Sequence, residues 1–484
     1  MHSISSSMQY GQQKPAPQDW SLSILLSIPK KGDRTVCRNY RGISLIDVAA
    51  KIFAMLLLER FASERNQRMR PNQGGFRPGR GCIDQIFTLR RLLEHRYKNQ
   101  QPTTALFIDF KTAFDSIDRD ALWNIMIADG IPPKLVRLIK AYYTATTARV
   151  RVLGADSPTF SLTAGVRQIC PMSPVLFNFA IDWIMNQATE VSDGCWLSPE
   201  CKMTDLDYAD DIVILGDTPS NLQPMLDKIS LFSMKVNLKI NVSKTKLFTT
   251  HPDPNQLLAL NGERIEQVSE FRYLGSTILP NGQAKNEIPQ RISNARLAFT
   301  QLSKALWSRS DISLHTKLHV YRVSIRPVLL YGCETWPLRA TDNQALKVFD
   351  RWCLRRIANI RWPDRVSNEE LYRRCDDIPC LSNLMQQRRL QWFGHVLRKP
   401  NTEPCRAALA PGRFPNWRFR HGGQLKTWLN TIKSDIDATG IGAAYSIRRW
   451  NRDWVHLCAD LAADRRQWHA ITRDIHEAGS SRRR

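Results

Sequence analysis

Tyr208-Ala209-Asp210-Asp211-Ile212-Val213-Ile214-Leu215 is the stretch from which the fold is read. Its two adjacent carboxylates follow a polar approach, Thr204-Asp205-Leu206-Asp207, and precede an apolar run that ends at Gly216-Asp217. That run is too short for a helix, and its β-branched content favours a strand. The pattern predicts a buried strand leaving a tight turn, with both aspartates at the turn. Two anions beside a buried strand are costly unless cations neutralise them. An isolated Asp-Asp pair is most often a solvated turn, so its meaning depends on the rest of the chain.

A second apolar run, residues 103–108, ends in Asp109 and is followed by a turn over residues 110–115. Three carboxylates, Asp109, Asp210 and Asp211, therefore stand at strand ends. If the two strands share a sheet, the carboxylates come within ~4 Å of a shared pair of divalent ions, an arrangement suited to in-line phosphoryl transfer. Mg²⁺ suits such a site, being a hard cation held by few carboxylates plus phosphate oxygens. The 484-residue chain carries a formal net charge of +24, which points to a polyanionic partner, nucleic acid before membrane. No apolar run approaches the ~18 residues a membrane span needs, so no membrane partner is expected. The eleven cysteines are scattered and odd in number, which argues for reduced thiols and an intracellular protein, nucleus or cytoplasm left open. These features together predict a nucleotidyl transferase acting on nucleic acid.

Working outward, residues 1–19 are polar and read as a disordered lead-in without a signal peptide. A strand is expected over residues 21–28, then a basic turn at Lys30-Lys31-Gly32-Asp33-Arg34, and Arg41 in Asn39-Tyr40-Arg41-Gly42. An amphipathic helix follows over residues 48–61. Residues 71–82 form a Gly- and Arg-rich loop that can approach a ligand closely, with Arg77 among its charges. It lacks the Lys-Ser/Thr ending of a Walker loop. Helices are expected over residues 84–97, from Asp118 as N-cap through Met126, and from Pro133. Residues 149–152 should pair with 159–163. Ser173 reads as an N-cap with Pro174 at the first helical position. A helix over 221–236 precedes residues 238–241 and 244–248, a basic strand pair. From about residue 281 the chain is helical. Ile288, Ile292, Ala295, Phe299, Leu302 and Leu306 form one stripe, a second helix from Ser313 stops at Pro327, and a third includes Leu346 and Phe349. Tryptophan alternates with arginine toward the C-terminus, as a nucleic-acid stacking surface or as helix packing. Cys375, Cys380, His395 and Cys405 have spacing too loose for a tight zinc knuckle, and ordinary thiols are expected.

The chain resembles the reverse transcriptases of LINE-type, non-LTR retrotransposons. The resemblance is carried, in order, by IPKKGD, NYRGISL, QGGFRPGRGCIDQIFTL, IDFKTAFDSIDRDALW, GVRQICPMSPVLFNFAID, YADD, LKINVSKTK and FRYLGSTI, over about residues 20–280. It implies an α+β right-hand polymerase with a ferredoxin-like palm sheet: fingers and palm over 20–280, a helical thumb over 281–365, and a basic helical region over 366–484. It implies an RNA-directed DNA polymerase that takes an RNA template, a DNA primer and dNTP, uses two Mg²⁺ ions (Mn²⁺ as the alternative), and needs no small-molecule cofactor. By resemblance, Asp109 and Asp210 are metal ligands, Asp211 completes the triad, and Phe110 lends its carbonyl. Phe114 is the candidate gate against a ribose 2′-OH, with a core phenylalanine as the plain alternative. Gln168 would contact the nucleotide and Lys30, Lys31 and Arg41 its triphosphate. Lys244 would protonate pyrophosphate, with Lys246 as rival. Arg77, Phe271, Leu274 and Gly275 would meet primer or template.

Two departures from the family pattern stand out. Ile169 occupies a position where the family usually has glycine, so a turn needing positive φ would be strained. Residues 1–19 cannot encode the endonuclease that usually precedes the polymerase, so a fragment or degraded copy is expected. Such a remnant, inactive but still binding nucleic acid, is the alternative reading.

Overall fold

The computed structural model describes residues 17–30, 32–253, 257–412, 414–422, 425–439 and 454–473. Most of the expected lead-in, Lys31 and the arginine-rich terminus lie outside these residues. The chain forms two compact units: residues 1–82, 104–195 and 203–267, and residues 83–103, 196–202 and 268–484.

The first unit is built on two antiparallel-rich sheets. In one, strand Leu22–Pro29 pairs antiparallel with Tyr40–Ile46 and parallel with Thr147–Val152. That register sets Arg41 opposite Ile28, beside the basic turn. In the other, Thr104–Ile108 lies between Asp211–Gly216 and Lys246–Thr249, with Asp205–Tyr208 and Glu266–Val268 at the two edges. Every residue of Thr104–Ile108 is buried, as its unbroken apolar run requires. Helices Arg119–Ala128, Ser173–Thr189 and Pro219–Lys235 supply the rest of the core, including Leu122, Leu176, Phe177, Ile181, Leu226 and Ile229.

Several local expectations hold. Asp118 caps its helix by accepting from Ala121 N at 2.7 Å, and Phe160–Ser161 pairs antiparallel with Thr147–Val152. Three others are corrected. Ser173 is the first helical residue rather than the cap; Met172 precedes it, and Ser173 Oγ instead bonds Tyr143 Oη at 3.0 Å. The two basic strands do not pair with each other. Lys239–Ile240 joins Phe110–Lys111, while Lys246–Thr249 joins the central strand, because the Asn241–Thr245 turn carries the chain from one sheet to the other. Pro327 does not stop its helix. A wide π turn over Tyr321–Ile325 precedes it, and the proline sits in the first turn of Arg326–Leu329, where its missing N–H costs nothing.

The second unit is mainly helical. Helix Cys82–Lys98 buries charged as well as apolar residues, among them Arg90, Arg91, Glu94 and Arg96. One core gathers Ile288, Ala295, Phe299, Leu318, Tyr321, Leu346 and Phe349, and Asp350 there accepts from both Arg326 and Tyr321. A second core stacks the C-terminal tryptophans. Trp428 and Trp468 are fully buried, Phe87 packs edge-on to Trp392 and Trp428, and Trp468 Nε1 donates to Leu390 O at 2.8 Å. For these tryptophans, packing is the role; Trp450 lies outside the described residues. No helix among the described residues is long and apolar enough to cross a membrane. None of the eleven cysteines forms a disulfide.

Candidate active site

The aspartates are brought together by strand register. Tyr208 pairs with Asp211, so Ala209-Asp210 is a two-residue hairpin turn. Ile212 pairs with Ile108 on the central strand. One step further along that register puts Asp211 abreast of Asp109. Two-residue turns of this kind demand positive φ, and Ala209 supplies it at +57°.

Electrostatics confirm that the three share one neighbourhood. The Asp210 carboxyl is pushed above its ordinary range by burial and by Asp109, with Arg41 pulling the other way. Asp211 is pushed up to about 6 by burial, Asp210 and Asp109. Asp211 remains exposed on one side, so solvent screens part of that repulsion. Asp109 is 39% exposed, and Lys244 Nζ lies 3.6 Å from its Oδ2, which accepts no hydrogen bond among the described residues. A site of mutually repelling hard oxygens with an orphaned acceptor fits a hard divalent cation in its donor chemistry. The side chains are not drawn to one point: among the described residues no three His, Cys, Asp or Glu form a metal-holding group. The same holds for Cys375, Cys380, His395 and Cys405, which form no such group; His395 faces Asp84, and Cys375 and Cys405 are buried thiols.

Asn241 N donates to Asp109 O at 2.7 Å. Successive carbonyls alternate along a strand, so that of Phe110 points to the other side. The expected turn at 110–115 contains Phe110–Lys111 as a short strand and Ala113–Ser116 as one helical turn. Phe114 stacks on Phe177 with centroids 4.5 Å apart, partly buried against the core. Loop 165–172 is fastened to the same turn: Val166 N donates to Phe114 O at 2.7 Å, and Gln168 Nε2 donates to the Asp115 carboxylate at 2.8 and 3.0 Å. Ile169 stands at φ +67°, 52% exposed. The strain expected of this residue is therefore present, at a cost of about 1–2 kcal/mol for an L-residue in that region.

Of the two lysines, Lys246 is engaged by Glu266 at 2.5 Å and by Ser243 O, whereas Lys244 is 68% exposed and faces Asp109. Lys30 is exposed at the hairpin tip, its N–H donating to Asn39 O at 2.6 Å. Arg77 spends its guanidinium on the carbonyls of Arg70, Gln73 and Asn66, which shapes its own loop. Phe271, Leu274 and Gly275 lie in the second unit, on hairpin Phe271–Tyr273/Ser276–Ile278. Its turn has Leu274 at +46° and Gly275 at +80°, with Tyr331 Oη donating to Leu274 O at 2.8 Å.

A second acidic group behind the turn escaped the sequence reading. Arg70 donates to both oxygens of Asp205 at 2.7 Å and to Asp207 at 2.9 Å, all three buried. Burial opposes the charge on Arg70, but the two aspartates outweigh it and raise its pKa. Burial and Asp205 push Asp207 well above its ordinary range, and burial pushes Asp182 to about 7 against the pull of Arg70. The Gly-rich loop is bound to the same hairpin through Gln73, Gly74 and Asn72. Two acids at i and i+2, on one face of a strand flanked by apolar residues, were the available signal.

With this geometry in hand, comparison with known proteins is direct. Residues 28–278 match the family model described as reverse transcriptase (RNA-dependent DNA polymerase). The chain belongs to the reverse transcriptase family. It is 26% identical to the RNA-directed DNA polymerase from mobile element jockey of Drosophila melanogaster over 80% of this chain and 42% of that one. It is also 26% identical to the Pol polyprotein of the type-2 retrotransposable element R2DM from the same species, over 88% of this chain and 41% of that one. The resemblance to non-LTR retrotransposon enzymes is thus met. The chain spans about two fifths of the length of these relatives. A telomerase from Candida tropicalis, in complex with a fragment of telomeric RNA, superposes with TM-score 0.42 at 13% identity, covering 84% of this chain and 67% of that one.

Proposed function

We propose that this reverse transcriptase-family chain is an RNA-directed DNA polymerase that adds dNTP to a DNA primer 3′-OH on an RNA template. One observation carries the reading: the central strand and its neighbouring hairpin deliver Asp109, Asp210 and Asp211 to one end of one sheet, where Asp109 helps raise the pKa of Asp210 and both help raise that of Asp211. Asp109 and Asp210 would hold two Mg²⁺ ions, with Asp211 and the Phe110 carbonyl completing the set. Bound there, the ions would supply activation of the attacking oxygen and neutralisation of the leaving one.

The chain's own residues do the rest. Arg41, whose charge reaches Asp210, and Lys30, exposed at the tip of the same hairpin as Arg41, would supply positive charge for a triphosphate. Lys244 holds a proton within reach of the site for the leaving pyrophosphate. Gln168, braced by Asp115, and Phe114, braced by Phe177, flank the nucleotide, and Phe114 selects against a 2′-OH. Residues 20–280 then serve as fingers and palm, 281–365 as thumb and 366–484 as a basic appendage, with Phe271, Leu274 and Gly275 at the primer. The enzyme works inside the cell, where its thiols stay reduced.

The test is extension of a DNA primer on an RNA template with Mg²⁺ and dNTP. Wild type is expected to extend and Asp210→Ala to fail. Nucleic-acid binding without synthesis in wild type, or synthesis undiminished in Asp210→Ala, would overturn the reading.

A further inference from the structure

We propose that Gln73 is a positioning residue for the aspartate turn: its carboxamide oxygen fixes the backbone of Ala209 and thereby aims Asp210 and Asp211. The inference rests on the reading of that turn as the metal-binding part of a polymerase site.

Gln73 is fully buried. Its Oε1 accepts two hydrogen bonds, from Ala209 N at 2.8 Å and from Gly75 N at 2.8 Å. The first reaches the residue directly before Asp210. In a free hairpin that turn N–H would face water. Here water is excluded, and the N–H would be orphaned without the glutamine. Ala209 also holds a left-handed conformation that alanine does not choose by itself, so an external tether accounts for its persistence.

The oxygen itself is held from several sides. Gly74 N donates to Asp207 O at 2.8 Å, Asp207 N donates to Asn72 O at 3.2 Å, and Gln73 bridges Asp207 in parallel. Asn178 Nδ2, from the helix that carries Asp182, donates to Gly75 O at 2.8 Å. A Cβ at Gly75 would run into Ala209 N, so only glycine lets the loop lie this close. Below, Arg70 clamps Asp205 and Asp207, which fixes the strand that enters the turn. Gln73 uses only its acceptor end: Nε2 makes no hydrogen bond among the described residues. The position requires an oxygen at this point, not merely a side chain of this shape.

The test pairs Gln73→Met, which keeps the shape and removes the acceptor, with Gln73→Glu, which keeps an oxygen there. Mn²⁺ binding to the full chain without nucleic acid, followed by electron paramagnetic resonance, reads the turn independently of turnover. Primer extension then separates kcat from KM for dNTP. Gln73→Met is expected to weaken Mn²⁺ binding about tenfold and to lower kcat by ~10²-fold, the scale of a 1 Å misplacement, with KM within about twofold. Gln73→Glu is expected to restore most of both. Gly75→Ala, whose Cβ would press on both Ala209 N and Gln73 Oε1 and so break their hydrogen bond from the other side, should reproduce the Gln73→Met losses and decides the matter if Gln73→Met does not fold.

Wild-type Mn²⁺ binding and kcat in Gln73→Met, or in a folded Gly75→Ala, would overturn the inference while leaving the polymerase reading standing. Equal losses in Gln73→Glu and Gln73→Met would also overturn it, since shape or charge would then be the determinant. If wild type neither binds Mn²⁺ nor extends, or Asp210→Ala changes neither, the metal-site reading fails and the inference with it.

Discussion

Two trios of aspartates occupy the same hairpin and its neighbours in the first unit, and they differ in who supplies the countercharge. Asp182, Asp205 and Asp207 lie behind the turn around the buried guanidinium of Arg70. Asp109, Asp210 and Asp211 lie at its tip, faced by Arg41 and the exposed Lys244. The inner trio is tied to a buried guanidinium of the chain's own, which makes it part of the fold. The outer trio has only exposed or more distant cations beside it. On the proposed reading, a cluster of anions kept without its own buried cation is where divalent ions would be received from outside.

The sharpest way to break this comparison is to remove one member of the outer trio. Asp210→Ala should abolish primer extension, a loss of at least ~10³-fold, since it deletes a proposed ligand to the charge-stabilising ions. The fold should survive, and thermal unfolding without divalent ions should show equal or higher stability because a repelled anion is gone. Striking the inner trio should do the reverse. Arg70→Met leaves buried carboxylates unpaired and should cost about 3–5 kcal/mol of stability, read by denaturant unfolding, with activity falling at least in step with the folded fraction.

Protonation separates the trios next. Asp211 titrates at about 6 in the folded chain, above the ordinary 3.8. The folded state thus binds more protons than the unfolded one between these values, so stability is full below about pH 4 and is lost as pH rises through about 6. Mg²⁺ favours the ionised form, so its thermal stabilisation should grow between about pH 5 and about pH 7.5, and Asp211→Asn should blunt that growth. Asp182, at about 7, gives a similar fall in stability over a window reaching higher. Asp182→Asn should flatten that fall and leave the Mg²⁺ response unchanged. An Asp182→Asn variant that lost its Mg²⁺ response would merge the two trios into one site.

The smallest effect concerns the loop that faces neither trio directly. Ile169→Gly should gain about 1 kcal/mol of stability at most, because glycine accepts φ +67° but loses more chain entropy on folding. Extension should rise modestly. Unchanged stability would show that the Gln168–Asp115 bond, not the residue at 169, sets the loop.

Much of the outer trio was legible in the sequence. An apolar run that ends in a carboxylate can be read without tertiary structure, since burial of the run forces the charged residue to the strand end. The Asp118 helix cap and the positive φ expected at position 169 were legible for a like reason: each is a local matter of side chain and backbone. The inner trio was not. Arg70 precedes Asp205 by more than a hundred residues, and nothing near either one says that they meet. The two basic strands were misjudged on the same ground, since sequence proximity suggested pairing while the sheet had a nearer partner for each.

That strands end in Asp109 and in the Asp210-Asp211 turn follows from the residues alone, because hydrophobic period and turn chemistry are local properties. Its net charge of +24 also favours a polyanionic partner over a neutral one. Tertiary contacts were needed to show that Asp211 stands abreast of Asp109, that Arg70 is consumed beneath the turn, and that the Gly-rich loop presses on Ala209 through Gln73. Those facts depend on strand register and on buried hydrogen bonds between distant segments. A register shift of one residue would leave the sequence pattern intact and move every one of these side chains to the opposite face.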